Sequence, residues 1–179
     1  MIINRVWAMA ATNGDTFDCK PLGEIVRKYL VSSKLSIEPF ARNRLWATYT
    51  NDLNPATKAE YHLDSLEFLK LMRSKNVRPD LVIFDPPYSP RQIKELYDGI
   101  GMKMGGREAL RSASWKAEKD VIDDILMPEG IVICFGWNSG GMGINRHYSL
   151  EEVLLVCHGA GHNDTIVTVE KKVQANLSL

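Results

Sequence analysis

The spacing of apolar residues predicts a chain of alternating strands and helices. Six strands are predicted, at residues 35–40, 45–50, 80–84, 130–135, 150–157 and 165–171. The runs at 80–84 and 130–135 are almost wholly apolar, as expected for parallel strands that helices cover on both faces. The last two strands flank a glycine-broken loop, and this arrangement predicts an antiparallel hairpin.

Segments between the strands have the spacing of amphipathic helices. Pro21 suits a first helical position, and an apolar stripe at i, i+3, i+4 and i+7 follows it. Further helices are predicted from near Asp64, over residues 91–97, and up to about Leu126. The predicted fold class is therefore α/β, a mostly parallel open sheet with an antiparallel C-terminal hairpin. Residues 1–179 fit a single domain with a frayed tail at 172–179.

The composition is that of an ordinary soluble protein. Of 179 residues, 45% are apolar and 25% are charged, and no apolar stretch approaches the roughly 20 residues of a membrane span. The first residues lack the layout of a signal peptide. The three cysteines are widely spaced and form no CxxC pair, so the sequence suggests neither a disulfide framework nor a structural zinc site. A cytoplasmic location is the expectation.

The most specific chemical feature is Asp85-Pro86-Pro87-Tyr88, directly after the apolar run that ends at Phe84. The Asp85 carboxylate and the Pro86 carbonyl can both accept hydrogen bonds from an exocyclic amine. The two prolines fix their own φ angles and remove two backbone donors, so the turn presents acceptors. Tyr88 offers a flat face on which an extruded base can stack. A plain strand end, stopped by two prolines, is the structural alternative.

This motif at the end of a buried strand resembles that of amino-methyltransferases dependent on S-adenosyl-L-methionine. The similarity is greatest to the adenine-N6 DNA methyltransferases, including the minimal enzymes of bacteriophages. The resemblance implies a Rossmann-like methyltransferase fold, S-adenosyl-L-methionine as cofactor, and host cytoplasm as the location of a phage enzyme. It also implies catalytic roles for Asp85, Pro86, Pro87 and Tyr88, and the matching order of motifs extends over residues 16–171.

Acidic residues that follow the predicted strands suit the adenosine part of this cofactor. In open α/β sheets, ligands bind beyond the carboxyl ends of the strands. Asp52 could accept hydrogen bonds from ribose hydroxyls, and Asp64 could accept from the adenine amine, with Leu66 packing on the ring. Each acid is also suited to a turn or helix cap, and Leu66 is also suited to the core.

The resemblance implies that two further segments line the pocket for the methionine part of the cofactor. In the family, a helix that begins Lys-Pro-Leu precedes a strand that ends with an acid, proline and phenylalanine. This chain has matching sequences at residues 16–22 and 38–40. The candidates in these segments are Thr16, Phe17, Lys20, Glu38, Pro39 and Phe40.

The segment after Phe40 departs from the family pattern. The family has a glycine-rich loop there, whereas residues 41–44 contain no glycine. A parallel crossover normally needs about 10–12 residues, so the first crossover helix must be reduced to a turn or the strand boundaries differ. We hypothesise that Asn43 adopts the left-handed conformation in place of glycine. Arg42 or Arg44 would then pair with the cofactor carboxylate.

Basic, aromatic and histidine residues outside the motif are candidates for binding the target. They are Arg91, Lys103, Arg107, Trp137, His158 and His162. The first three lie in a glycine-containing segment that could close on nucleic acid or form a solvated helix face. Trp137 could stack on a base or belong to a plain flexible loop. The histidines suit contact with phosphate better than a metal site, because their glycine-broken spacing fixes no common face.

The overall charge limits how strongly the chain could bind phosphates. Lysine plus arginine and aspartate plus glutamate balance at 22 each. The sequence still favours an S-adenosyl-L-methionine-dependent adenine-N6 methyltransferase acting on DNA. The alternatives are a methyltransferase of RNA, a nucleotide or cytosine N4, and a non-catalytic module that binds nucleic acid or cofactor. A homodimer or a partner subunit is compatible with the sequence, and a membrane partner is not expected.

Overall fold

The computed structural model describes residues 1–10, 15–103, 105, 114–159 and 161–173. The strands in these ranges are β1 (Ile2–Trp7), β2 (Ser36–Glu38), β3 (Tyr49–Thr50), β4 (Leu81–Phe84), β5 (Ile131–Gly136), β6 (Tyr148–Cys157) and β7 (Thr165–Lys172). The helices are α1 (Lys20–Leu30), α2 (Ser65–Ser74), α3 (Pro90–Gly99) and α4 (Lys116–Ile125). Single 3-10 turns are formed by Thr16–Asp18 and Ile144–Arg146. No helix in the described ranges is long and apolar enough to cross a membrane.

The strands form one sheet in the order β1-β6-β7-β5-β4-β2-β3. Strand β7 runs antiparallel to both of its neighbours, β5 and β6, whereas the other pairs are parallel. This arrangement confirms the predicted fold class, a mostly parallel α/β sheet with a C-terminal antiparallel hairpin. Because β2, β3, β4 and β5 are parallel, their carboxyl ends lie at one edge of the sheet.

Two hydrophobic clusters cover the two faces of the sheet. One contains β4 residues Val82 and Phe84 with residues of α2 and α4, including Phe68 and Ile122. The other contains alternate residues of the central strands, such as Ile83, packed against α1. All four residues of β4 are therefore buried, as its continuous apolar run predicted.

The second predicted strand is shorter than the sequence indicated. Only Tyr49 and Thr50 pair with β2, whereas the prediction covered residues 45–50. The aromatic residue Trp46 stacks on Phe17 beneath α1, at 5.8 Å between ring centroids, instead of continuing the ladder. The apolar residues of this segment thus pack against a helix and not in the sheet.

The connection between β2 and β3 is an irregular segment of residues 39–48, longer than the spacing of residues 41–44 that the sequence predicted. The Ala41 N–H donates to the Asn51 carbonyl at 2.8 Å, and the Arg44 N–H donates to the Ala41 carbonyl at 3.0 Å. Residues 39–48 contain no helix. The predicted strand boundaries are therefore wrong, because β2 ends at Glu38 and β3 begins at Tyr49, and the connection between them contains no helix.

Strand β1 was not predicted from the sequence. It pairs in parallel with β6 at the edge of the sheet, from Ile2 opposite Glu152 to Trp7 opposite Cys157. Five of its six residues are exposed. A strand that is exposed on both faces has no regular alternation of apolar and polar positions, so its sequence carries little signal.

Candidate active site

A cavity of about 390 Å³ opens at the carboxyl ends of β2, β3 and β4. Segments that follow these three strands form one side, and α3 forms the other. The lining residues used below are Thr16, Pro39, Phe40, Arg42, Asp52, Asp64, Asp85, Pro86, Pro87, Tyr88 and Gln92. The strand ends named by the sequence pattern thus converge on one cavity.

Asn51 joins the three segments that form the cofactor side of this cavity. Its side chain is fully buried, and its Nδ2 donates to the carbonyls of Pro39 and Leu63 at 3.0 Å each. The Leu63 N–H in turn donates to Asn51 Oδ1 at 2.9 Å. Sequence reasoning treated Asn51 as part of a turn and missed this role. An asparagine next to a strand end was the available signal, but its partners lie 12 residues away on both sides.

The turn after Phe40 places a non-glycine residue in the left-handed conformation. That residue is Arg42, with φ of 53°, and not Asn43 as hypothesised. The Arg42 N–H donates to Asp52 Oδ2 at 3.1 Å, which ties this turn to the segment after β3. Asn43 instead accepts a hydrogen bond from the Lys58 N–H through its side-chain oxygen. A left-handed arginine is strained relative to glycine, and the bond to Asp52 helps to hold it.

The turn of residues 85–88 is fixed by its neighbours as well as by its prolines. Tyr88 has the first backbone donor after Asp85, and its N–H donates to Gln92 Oε1 at 2.6 Å. The Tyr88 hydroxyl donates to Asp85 Oδ1 at 2.5 Å. Helix α3 begins directly afterwards, with Pro90 in its first turn and Ser89 capping the Gln92 N–H. Gln92 was not recognised from the sequence, although it lies in the first turn of a predicted helix.

Burial raises the pKa of Asp85 to about 6, while hydrogen bonds from Tyr88 and Thr16 oppose the shift. The pKa of the Tyr88 hydroxyl lies well above its ordinary value, because the group is buried and faces the Asp85 carboxylate. Tyr88 is therefore a hydrogen-bond donor at neutral pH. The site thus contains a carboxylate that titrates close to neutrality, oriented by a tyrosine.

Glu38, at the end of β2, is a buried acid with an unsatisfied oxygen. Its side chain is almost fully buried, and Oε2 has no hydrogen-bond partner among the residues that the structure describes. Burial, followed by the negative charge of Asp85, raises the pKa of Glu38 to about 8, and Arg44 partly opposes this. Glu38 was predicted to contact the cofactor but does not line the cavity, whereas its neighbour Pro39 does. The contact of Glu38 with a cofactor remains a prediction, and a nearby positive charge would stabilise the desolvated acid.

The two acids predicted to hold the adenosine part line the cavity and also have structural roles. Asp52 accepts the N–H groups of Asn54 at 2.8 Å and Arg42 at 3.1 Å, and burial raises its pKa. Asp64 caps α2, because its Oδ1 accepts the Leu66 N–H at 3.0 Å. Each carboxylate oxygen can accept more than one hydrogen bond, so capping does not prevent contact with a ligand.

Several predicted cofactor residues lie outside the cavity lining. Phe17 is buried in the cluster beneath α1, and Lys20 is an exposed residue that pairs with Glu24 at 3.8 Å. Leu66 packs against the cluster on the opposite face of the sheet. Their contact with a cofactor remains a prediction that this geometry does not favour.

Arg44 has partners of its own. Its Nε lies 2.8 Å from Asp15 Oδ1, and its guanidinium also pairs with Asp18. The guanidinium carbon lies 4.6 Å from the ring centroid of Trp46. These contacts hold Arg44 beneath the turn, so Arg42, which lines the cavity, is the better placed of the two for a cofactor carboxylate.

The basic residues predicted for target binding are dispersed. Arg91 is exposed and pairs with Glu95 of the same helix at 2.7 Å. Lys103 is exposed beyond the end of α3, and Arg107 lies outside the described residues. In the described part of this segment, basic groups of α3 are thus balanced by acids one turn away. Their role in target binding remains a prediction.

Trp137 and the histidines follow strands on the other side of the turn of residues 85–88. Trp137 contacts Tyr88 edge to face, at 5.7 Å between ring centroids, and is 40% exposed. His158 bridges the Ala8 carbonyl and the Thr165 hydroxyl, with both ring nitrogens at 2.9 Å. His162 is exposed in the β6–β7 loop. Of these three, Trp137 is adjacent to the cavity. No group of three or more potential metal ligands lies together in the described ranges.

Known structures with a similar fold include an N-methyltransferase and a putative methyltransferase. The N-methyltransferase NodS from Bradyrhizobium japonicum matches 90% of this chain and 99% of its own, with a TM-score of 0.56 and 11% identity. SMU.776 complexed with SAH gives a TM-score of 0.58 over 82% of this chain, and TrmN from Thermus thermophilus gives 0.56 over 85%, each at 14% identity. The chain spans about half the length of these last two proteins, 48% of each.

No protein-family model matches the chain, and no curated protein matches it in sequence. Identities of 11–14% establish likeness of fold alone. The sheet order, the antiparallel final hairpin and these likenesses agree. The chain has the Rossmann-like fold of methyltransferases.

Proposed function

We propose that the protein is an S-adenosyl-L-methionine-dependent methyltransferase that modifies the N6 amine of adenine in DNA. The observation that carries this proposal is the rigid turn of residues 85–88, which opens on a cavity at the ends of three parallel strands. The fold is compatible with the activity, and the order of motifs supports adenine in DNA as the target.

The residues at the cavity fit the cofactor in shape and in charge. Asp52 and Asp64 are positioned for hydroxyl and amine donors, and Phe40 contributes an apolar surface supported edge to face by Phe84 and Trp115. The orphaned oxygen of Glu38 lies in the same acidic environment. A cofactor with a sulfonium and an ammonium group would relieve the mutual repulsion of these acids. S-adenosyl-L-methionine would supply a methyl group activated by its positively charged sulfur.

The role of the protein is then to position and deprotonate the amine. The amine donates to the Asp85 carboxylate and to the Pro86 carbonyl, which draws electron density toward nitrogen. When nitrogen gains the methyl group it loses a proton, and Asp85 is the acceptor. Because the turn is held by Gln92 and by two prolines, little reorganisation is needed, and this is how positioning lowers a barrier.

The contacts of Tyr88 limit how a target base can approach the site. Its hydroxyl already occupies one acceptor position of Asp85 Oδ1, so the target amine uses a remaining one. The ring is half-buried beside Trp137 and can stack on a base only after the base leaves a duplex. The proposed target is therefore a flipped or single-stranded adenine.

Methyl transfer from isotopically labelled cofactor tests the proposal. DNA and RNA oligonucleotides of matched sequence are incubated side by side with the protein, digested to nucleosides and separated. The expected product is labelled N6-methyldeoxyadenosine, lost in Asp85→Ala and retained in Asp124→Ala, which removes an exposed carboxylate that pairs with Arg73.

Other products would revise or reject the proposal. Label in RNA or on cytosine N4 would replace the substrate while leaving the enzyme class intact. No label in any nucleic acid, with a folded protein that binds the cofactor, would favour a non-catalytic binding module.

A further inference from the structure

A second, smaller hollow lies on the other side of the catalytic turn. Its volume is about 80 Å³, roughly one fifth of the main cavity. Pro86, Pro87 and Tyr88 form a wall shared by both. The opposite wall comes from the end of β5 and from α4, and its polar members include Lys119 and Asn138.

Lys119 differs from the other charged residues of α4. Four ion pairs involve these residues: Lys116–Asp120 at 2.8 Å, Asp120–Arg146 at 2.6 Å, Asp123–Lys172 at 3.5 Å and Asp124–Arg73 at 2.9 Å. The remaining acid, Glu118, is buried and accepts a hydrogen bond from the Ser65 hydroxyl. Among the described residues, none forms an ion pair with Lys119, which is half-buried at the wall of the hollow. A half-buried cation that forms no ion pair within this part of the chain is suited to an anionic ligand.

Burial raises the pKa of the Glu170 carboxyl above its ordinary value, and the positive charge of Lys119 partly opposes this rise. Glu170 is buried, and its Oε2 accepts the Met142 N–H at 2.7 Å and the Thr168 hydroxyl at 3.2 Å. Glu170 thus anchors the loop after β5 and is not within ion-pair distance of Lys119.

Asn138 and Trp137 complete the polar and aromatic parts of the hollow. Asn138 Oδ1 accepts the Gly140 N–H at 3.0 Å, and this bond leaves the two Nδ2 hydrogens as donors. Trp137 is partly exposed and packs edge to face on Tyr88, so it continues the aromatic surface from the catalytic turn toward Lys119. The hollow is therefore lined by the Lys119 ammonium group, the Asn138 side-chain amide and the Trp137 indole ring.

We propose that this hollow binds a phosphate of the target strand beside the adenine at Asp85, with Lys119 as its cationic partner and Asn138 as a donor. The inference rests on the proposed function and specifies its substrate as a phosphorylated nucleotide or strand, not a free base or nucleoside. A phosphate there would set the register of the strand, because the base and its backbone would be held on two sides of one rigid turn.

Binding of a fluorescent single-stranded DNA oligonucleotide, followed by anisotropy at several salt concentrations, tests this inference. Lys119→Gln should weaken binding about five- to tenfold and lower the salt slope by about 0.7, as expected for one lost phosphate contact. Lys116→Gln is the matched control, one turn away and exposed, and should change the dissociation constant less than twofold. Thermal unfolding establishes that both variants are folded.

A neutral methylphosphonate placed at single positions of the oligonucleotide identifies the phosphate. At one position it should weaken binding to the wild type but not to Lys119→Gln. Equal effects on both proteins at every position would overturn the inference, even if methyl transfer occurs. Conversely, phosphate-dependent binding through Lys119 without any methyl transfer would reject the proposed function and leave the subsite standing.

Discussion

Asp85 determines how the proposed activity depends on pH. The carboxylate is the active form, and burial raises its pKa to about 6. The rate of methyl transfer should therefore rise as the pH increases through about 6 and level off above neutrality. A profile of kcat/KM from pH 5 to 9 measures this. A rate that is constant over that range, or full activity in Asp85→Asn, would contradict the assigned role.

Tyr88→Phe separates the hydroxyl of this residue from its ring. The hydroxyl bond favours the Asp85 carboxylate, so its loss should move the midpoint of the pH profile to higher pH. The ring remains, so KM for the oligonucleotide should rise less than in Tyr88→Ala. Comparison of pH profiles and KM for the two variants checks both effects. A midpoint that moves to lower pH would contradict the claim that the Tyr88 hydroxyl stabilises the Asp85 carboxylate.

Glu38 should make the folded state less stable as the pH rises. Its pKa is raised from 4.5 to about 8, so the stability present below 4.5 is lost progressively as pH increases through about 8. Glu38→Gln has no charge to bury. Between pH 6 and pH 9, the free energy of unfolding of the wild type should therefore fall by about 2–3 kcal/mol relative to that of Glu38→Gln.

Urea unfolding at pH 6, 7.5 and 9 measures this difference for Glu38. Glu67→Gln is the control, because Glu67 is exposed and pairs with Lys70 on the surface of α2. Its effect should not vary with pH. A difference between Glu38→Gln and wild type that stays constant from pH 6 to 9 would mean that Glu38 is not a buried titrating acid.

At the scale of elements, Asn51 connects the ends of β2 and β3 to the segment before α2. Asn51→Ala removes bonds to Pro39 and Leu63 and leaves buried backbone groups unsatisfied. We expect a loss of about 2–4 kcal/mol in the free energy of unfolding, together with weaker cofactor binding. Asn4→Ala is a control on exposed strand β1, with one side-chain bond at 3.3 Å. Similar destabilisation by both variants would refute the connecting role of Asn51.

Elements buried on both faces could be predicted from the sequence, and exposed or irregular ones could not. Strands β4 and β5 have continuous apolar runs because helices cover them on either side. Strand β1 lacks such a run because five of its residues are exposed. Strand β3 is shorter than predicted because Trp46 packs beneath α1, an effect of tertiary contact that apolar spacing does not reveal.

The same limit applies to the candidate site. The turn at residues 85–88 could be predicted because its proline chemistry is local and follows a clear strand. The roles of Asn51 and Lys119 and the left-handed conformation of Arg42 could not, because they depend on segments brought together by the sheet. Asn51 bonds to residues 12 positions away, and Lys119 is distinguished by its place in the smaller cavity and by forming no ion pair with any described residue.

At the scale of the whole molecule, the balance of 22 basic and 22 acidic residues means that no overall field attracts nucleic acid. Exposed cations of α3 are paired, as in Arg91–Glu95 and Lys94–Asp98. Binding of a strand must then depend on a few local contacts. This is consistent with a phosphate site that uses one unpaired lysine.

The sheet order places the two cavities on either side of a single turn. Strand β4 lies between β2 and β5, so residues 85–88 face the ends of β2 and β3 on one side and the end of β5 on the other. In the proposed arrangement, the cofactor occupies the larger cavity and the backbone of the target strand occupies the smaller one. Asp85 lines the larger cavity, and the three residues that follow it form the wall shared with the smaller one.

Calorimetric titration of the protein with S-adenosyl-L-methionine tests the central claim most directly, because every proposed role depends on the cofactor occupying the larger cavity. We expect one binding site with a dissociation constant well below millimolar. Asp52→Asn should weaken this binding, and Lys116→Gln should leave it unchanged. Absence of binding heat at millimolar cofactor with the folded protein, or equal affinity of Asp52→Asn and the wild type, would contradict the central claim.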